Sequence, residues 1–149
     1  MKYSLSKYIV GITLPNEIRT NLGIDQDSIS IGGSGTYLGE INISRNNPMW
    51  QTNGTPTGGY THNQSLDRTG TVSVTLNQLS EVVSKLKRIF NLFYNIDTEK
   101  GMTITISDSY GNIIATGDDC YIVNIPDQTF GETAATQTWE FTAGVVDIN

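Results

Sequence analysis

A single histidine and a single cysteine limit the chemistry open to this chain. His62 lies in an uncharged stretch, and Cys120 stands beside Tyr121 and Ile122 in an apolar run. One histidine leaves no histidine pair and no HExxH zinc helix. A Cys–His dyad would have to join Cys120 to an irregular segment, and a thiol with apolar neighbours reads as core packing. With one cysteine no intrachain disulfide can form. Asp118 and Asp119, after Gly117, offer two carboxylates at a corner. The alternating oxygen ligands and closing Glu of an EF-hand are missing, so these two read as turn residues. Gly32-Gly33-Ser34-Gly35 lacks the Lys and following Ser/Thr of a P-loop and opens no apparent helix, so a flexible hairpin connection is the better reading. No pair of carboxylates is singled out for acid–base work. No catalytic residue, cofactor or metal is expected, and an enzyme is the least favoured class.

Charge points the same way. The chain has 9 Lys and Arg against 15 Asp and Glu, for a net charge of −6. The cluster Lys85, Lys87, Arg88 therefore reads as a solvated helix face and not as a phosphate-binding patch. Charged residues make up only 16% of the chain, below the ~25% of an average domain, while it holds 19 Thr, 13 Asn and 15 Gly. Threonine favours pleated strands, and Gly and Asn supply turns. A surface that is polar but poor in charge also suits burial against other protein, where charged side chains are costly to desolvate. Residues 1–7 do not resemble an export signal, and no apolar run approaches the ~18 to 20 residues of a membrane crossing. Synthesis in the cytoplasm and no membrane partner are expected.

At 149 residues the chain is expected to form one domain, 1–149, able to bury roughly 70% of its unfolded surface. Strand alternation is expected over Tyr8–Leu14, Ser28–Ile31 and Thr36–Arg45, with a short helical turn or loop over 16–27. Thr71–Leu76 alternates most cleanly and runs into the one strong helical pattern, Leu79, Val82, Val83, Leu86, Phe90 and Phe93. Asn77 is the expected cap of that helix, with Glu81 and Lys85 an i,i+4 pair. Met102–Ser107, the turn Asp108–Asn112 and Ile113–Thr116 form a hairpin. A second hairpin-like unit is expected over Cys120–Ile125, and a last strand over Thr136–Val146 with Trp139 and Phe141 on one face. The fold class is mainly β (α+β): about seven strands in an antiparallel sandwich or barrel, closed or nearly so, with one principal flanking helix.

The segment from Asn46 to Leu66 has Pro48, Pro56, three glycines and no charged residue. It is expected to be a long loop without regular structure, of the kind that is usually functional. Trp50 and Tyr60 within it are candidate subunit-contact residues, since a docking loop uses aromatics as anchors. The alternative is a loop folded onto its own domain with both aromatics in the core.

Four stretches carry a family resemblance: Gly70–Gln78 before the helix, Met102–Asp108, Ile125–Gly131 with its Pro126-Asp127, and Gln137–Phe141 with Trp139-x-Phe141. In that order, over roughly Leu66 to Asp147, the chain resembles the tail tube proteins of contractile-tailed bacteriophages. The resemblance implies a virion component made in the host cytoplasm, self-assembling into hexameric rings stacked as a tube. It also implies sheath, baseplate and tail-terminator proteins as partners, and DNA passing through the lumen without specific binding. The neighbouring readings are a tube of a phage-derived contractile particle or secretion system and, from another class, a β-sandwich carbohydrate-binding or adhesin module.

Overall fold

A computed structural model describes residues 7–22, 28–31 and 38–149. The elements in chain order are β1 (Tyr8–Thr13), α1 (Asn16–Leu22), β2 (Ser28–Ile31), β3 (Leu38–Arg45), β4 (Trp50–Gly54), β5 (Tyr60–Gln64) and β6 (Gly70–Asn77). They continue with α2 (Glu81–Asn95), β7 (Met102–Asp108), β8 (Ile113–Ile122) and β9 (Thr136–Ile148). Seven strands form one antiparallel sheet in the order β2-β1-β7-β8-β9-β6-β3, and β4 and β5 pair separately. The expected glycine-rich connection at Gly32–Gly35 and the start of the Thr36 strand lie outside the described residues.

Period-2 patterning puts one set of side chains on the inner face of the sheet. Val10 and Ile12 lie opposite Ile106 and Ile104, and Val72 and Val74 lie opposite Phe141 and Trp139. All six are buried. Helix α2 covers this face with Val82, Val83, Leu86 and Ile89, and Ile18 of α1 joins the same core. Each aliphatic side chain buried there contributes about 1.5 to 3 kcal/mol of transfer free energy. The sheet is curled. Tyr8 of β1 and Ile41 and Ile43 of β3 line one cavity although their strands stand near opposite ends of the strand order.

Five expectations change. The loop expected over Asn46–Leu66 contains a regular hairpin, β4 with β5. Asn77 does not cap α2: Ser80 occupies that position, and the Asn77 side chain instead accepts a bond from the Leu79 amide at 2.9 Å, shaping the turn before the helix. Leu79 is 68% exposed and leaves the apolar stripe, which gains Ile89. The second hairpin over Cys120–Ile125 is absent. Gly117, Asp118 and Asp119 looked like a turn but form a bulge within the single strand β8, where Asp119 takes φ 54 and the pairing to β7 shifts. A bulge spends the same local chemistry as a turn but keeps the strand direction. The last strand runs on to Ile148.

Truncating the largest buried side chain, Trp139→Ala, is expected to destabilise the domain by about 3 to 5 kcal/mol. Leu79→Ala should stay within about 0.5 kcal/mol of the parent. Urea unfolding midpoints at constant slope check both.

Candidate self-assembly surface

The β4–β5 hairpin is an arm. Every residue of both strands is exposed, including Trp50 at 58% and Tyr60 at 69%, so neither aromatic enters the core of its own domain. The arm is nonetheless ordered by its own bonds. At the tip the Thr55 hydroxyl donates to the Gly59 carbonyl at 3.1 Å and accepts the Gly59 amide at 2.9 Å, while Gly58 supplies the left-handed residue at φ 91. A side chain at position 58 would be strained there, which is why glycine serves.

The root is pinned as well. Asp67 accepts the Thr69 hydroxyl at 2.7 Å, the Thr69 amide at 2.9 Å and the Asn47 amide group at 2.6 Å. Chiefly because of the two Thr69 bonds, and then that from Asn47, its carboxyl is held below the ordinary carboxylate value. Next to it, Arg68 pairs with Asp147 of β9, and the Val146 amide donates to the Arg68 carbonyl at 2.8 Å.

Strand pairing sorts the arm's side chains. Trp50 opposite Gln64, Thr52 opposite His62 and Gly54 opposite Tyr60 share one face; Gln51 opposite Asn63 and Asn53 opposite Thr61 share the other. The two expected contact residues thus lie on one face of the arm, Trp50 at its root and Tyr60 at its tip. His62 was not foreseen as part of this face. It shares a 2.9 Å hydrogen bond with the Thr52 hydroxyl and stacks obliquely on Tyr60, ring centres 5.2 Å apart. The alternation Tyr60-x-His62 against Trp50-x-Thr52 was the available signal, muted by the polarity of both strands. His62 does not pair with Cys120, which is fully buried and whose thiol desolvation pushes up to about 12.

Two further features belong to the surface. Among the described residues β2 has only β1 as a sheet neighbour and β3 only β6, so the sheet ends in two strands each paired on one side. The outer sheet face is a wall of hydroxyls. Thr13 lies opposite Thr103, Thr105 opposite Thr116, Thr71 opposite Thr142 and Thr75 opposite Thr138, the last two hydroxyls 3.2 Å apart. The charges that the strands add to this face, among the described residues, include Glu40, Glu140 and Asp118, all acidic. Asp118 and Asp119 accept bonds from the Thr103 hydroxyl and the Gly101 amide, which ties the bulge to β7.

The model of the family described as "Bacteriophage PhiTE tail tube protein" matches residues 22–149. The chain belongs to this tail tube family. Among solved structures, the tail tube protein is similar to a chain of the sheath/tube terminator of an extracellular contractile injection system, PVC, with TM-score 0.53 and 12% identity over 100% of this chain and 97% of that one. It is also similar to a chain of the PVC sheath-tube complex in the extended state, with TM-score 0.52 and 12% identity over 100% of this chain and 92% of that one. Among curated protein sequences none matches significantly. At such identity the likeness is one of fold, and the family assignment rests on the sequence match.

The lowered carboxyl of Asp67 gives the arm root a definite pH dependence. Its contribution is complete above the ordinary carboxyl value of 3.8 and is lost only as pH falls through the lower folded value. The protection factor of the Thr69 amide in hydrogen exchange should therefore be undiminished at pH 4 and fall only as pH drops through the lowered carboxyl value. Asp67→Ala should remove that protection at every pH.

Proposed function

We propose that this tail tube protein is the repeating subunit of a phage tail tube, built as stacked six-membered rings around a channel that DNA traverses, inside a contractile sheath. The observation that carries this reading is the curled sheet whose two end strands, among the described residues, are each paired on one side only, in a chain whose family is a tail tube family. An open edge offers unpaired amides and carbonyls. Joining the β3 edge of one copy to the β2 edge of the next uses both in a heterologous contact, which closes on itself as a ring.

In such a ring the free sheet face turns inward and α2 lies outside, because α2 occupies the opposite face. The inner wall is then threonine with scattered carboxylates, on a subunit of net charge −6. Duplex DNA carries one negative charge about every 1.7 Å and is held by Lys and Arg through counterion release. A wall of hydroxyls and carboxylates gives it no such hold, so it slides. The arm, ordered before assembly and bearing Trp50 and Tyr60, clasps an adjacent copy. The sheath and baseplate are the remaining partners, by analogy with the sheath-tube assembly that holds the similar PVC chain.

Negative-stain microscopy of the purified chain tests the reading: hollow rings or tubes are expected, and monodisperse monomers at every concentration would refute it. Deleting residues 52–60, or combining Trp50→Ala with Tyr60→Ala, should leave a folded monomer that does not polymerise. Tubes of normal length from these variants would remove the clasp from the account.

A further inference from the structure

The chain has both an exposed aromatic arm and an apolar hole. Where the curl of the sheet brings β3 round towards β1, a cavity of about 190 Å³ opens between Tyr8, Ile41, Ile43, Ile106, Ile114 and Ile148. Among the described residues its lining carries no charge, and the lining residue Ile148 is 54% exposed. An apolar cavity of about 150 Å³ accepts a benzene ring, so this one has room for an aromatic side chain.

We propose that this cavity receives Trp50 from the arm of a neighbouring copy. The inference rests on the clasp role of the arm and names the receptor. Charge argues for a second copy as the occupant. Copies of net charge −6 repel one another, and contact between them is least costly where neither surface carries charge. The arm from Asn46 to Leu66 has no charged residue, and the cavity lining has none among the described residues. Trp50 fits better than Tyr60. A tyrosine hydroxyl sits at the far end of its side chain and would enter first, among lining side chains that, Tyr8 apart, have no polar atom. An indole can bury its ring and keep its N–H towards the mouth. The contact is heterologous, since the arm of each copy fills the cavity of the next while its own cavity is filled by another, so it can propagate through an assembly.

Two reciprocal photo-crosslinking variants of the full chain test this, assembled from mixed 14N- and 15N-labelled copies. Trp50→p-benzoylphenylalanine should capture the β3 or β8 lining of another copy, and Ile148→p-benzoylphenylalanine should capture a peptide from 46–66 of another copy. Capture between copies at other sites overturns the receptor and leaves the clasp standing. Capture only within one copy, in formed polymers, overturns both. Recovery of residues 1–6 from the Ile148 variant assigns the cavity to the chain's own terminus and overturns the proposal.

Should either variant fail to assemble, filling the cavity with Ile43→Trp answers separately. The thermal midpoint should stay near the parent value, and the protein concentration needed for assembly should rise at least about tenfold, as for loss of an interface hot spot. Assembly at the parent concentration by a folded Ile43→Trp chain overturns the proposal.

Discussion

Strand β9 is hydrogen bonded to β6 along its first half and to β8 along its second, and the form of the molecule follows from that offset. Residues 136–143 of β9 pair with β6, while residues 141–148 pair with β8. Strands staggered along a shared neighbour cannot lie in a flat rectangle; the sheet must coil, as in barrels where tilt and stagger are linked. Near the crossover both β8 and β9 change phase: the buried positions go from Ala143 to Val146 in β9, and from Gly117 to Cys120 in β8. Asp119 in its left-handed conformation absorbs the shift. The coil produces a concave face deep enough to bury Trp139 and Phe141 under α2, and it turns the hydroxyl face outward.

Among the described residues the curl stops short of closure, and the sheet's two open ends and its apolar cavity both come from that shortfall. A closed barrel would have no edge and no seam. Here, among the described residues, β2 and β3 each keep one unpaired side, and the inner face near β3 is left partly open as an apolar cavity. The domain has its core on one side of the sheet and, among the described residues, leaves both sheet ends unpaired, a combination that favours association over aggregation when the matching edge belongs to another copy. The arm adds a third element of incompleteness. Its tip bonds through Thr55 and its root bonds through Asp67 fix its shape without burying any of its strand residues, so the proposed docking would cost little conformational entropy.

Charge is distributed to match. The arm is neutral, the hydroxyl face is neutral with acidic points, and Lys85, Lys87 and Arg88 sit on the helix across the sheet from that face. Of these, Lys87 is engaged with Gln128 at 2.7 Å, and through Gln128 with Gln137 at 3.2 Å, so part of the basic cluster tethers the long 123–135 connection to the helix.

Sequence alone determined the fold class, the alternating strands that became β1, β6, β7 and β9, the principal helix, the absence of any catalytic signature, and the tube-family resemblance. These are local or ordered properties: a period of 2 or 3.6 residues is set by which positions must face a core, and it survives in the bare string. It also marked Trp50 and Tyr60, because aromatics in an uncharged stretch are conspicuous. What it could not separate were alternatives that share local chemistry. Gly117-Asp118-Asp119 suits a turn or a bulge equally, and only the registers of β7 and β9 on either side decide between them. Polar strands such as Trp50–Gly54 and Tyr60–Gln64 have no buried face, so no hydrophobic period betrays them, and the arm becomes visible only when its cross-strand bonds are seen. The strand order, the open edges and the cavity between β1 and β3 join residues far apart in the chain; they exist only once the sheet has curled, since curvature belongs to the pairing of whole strands and to no single residue.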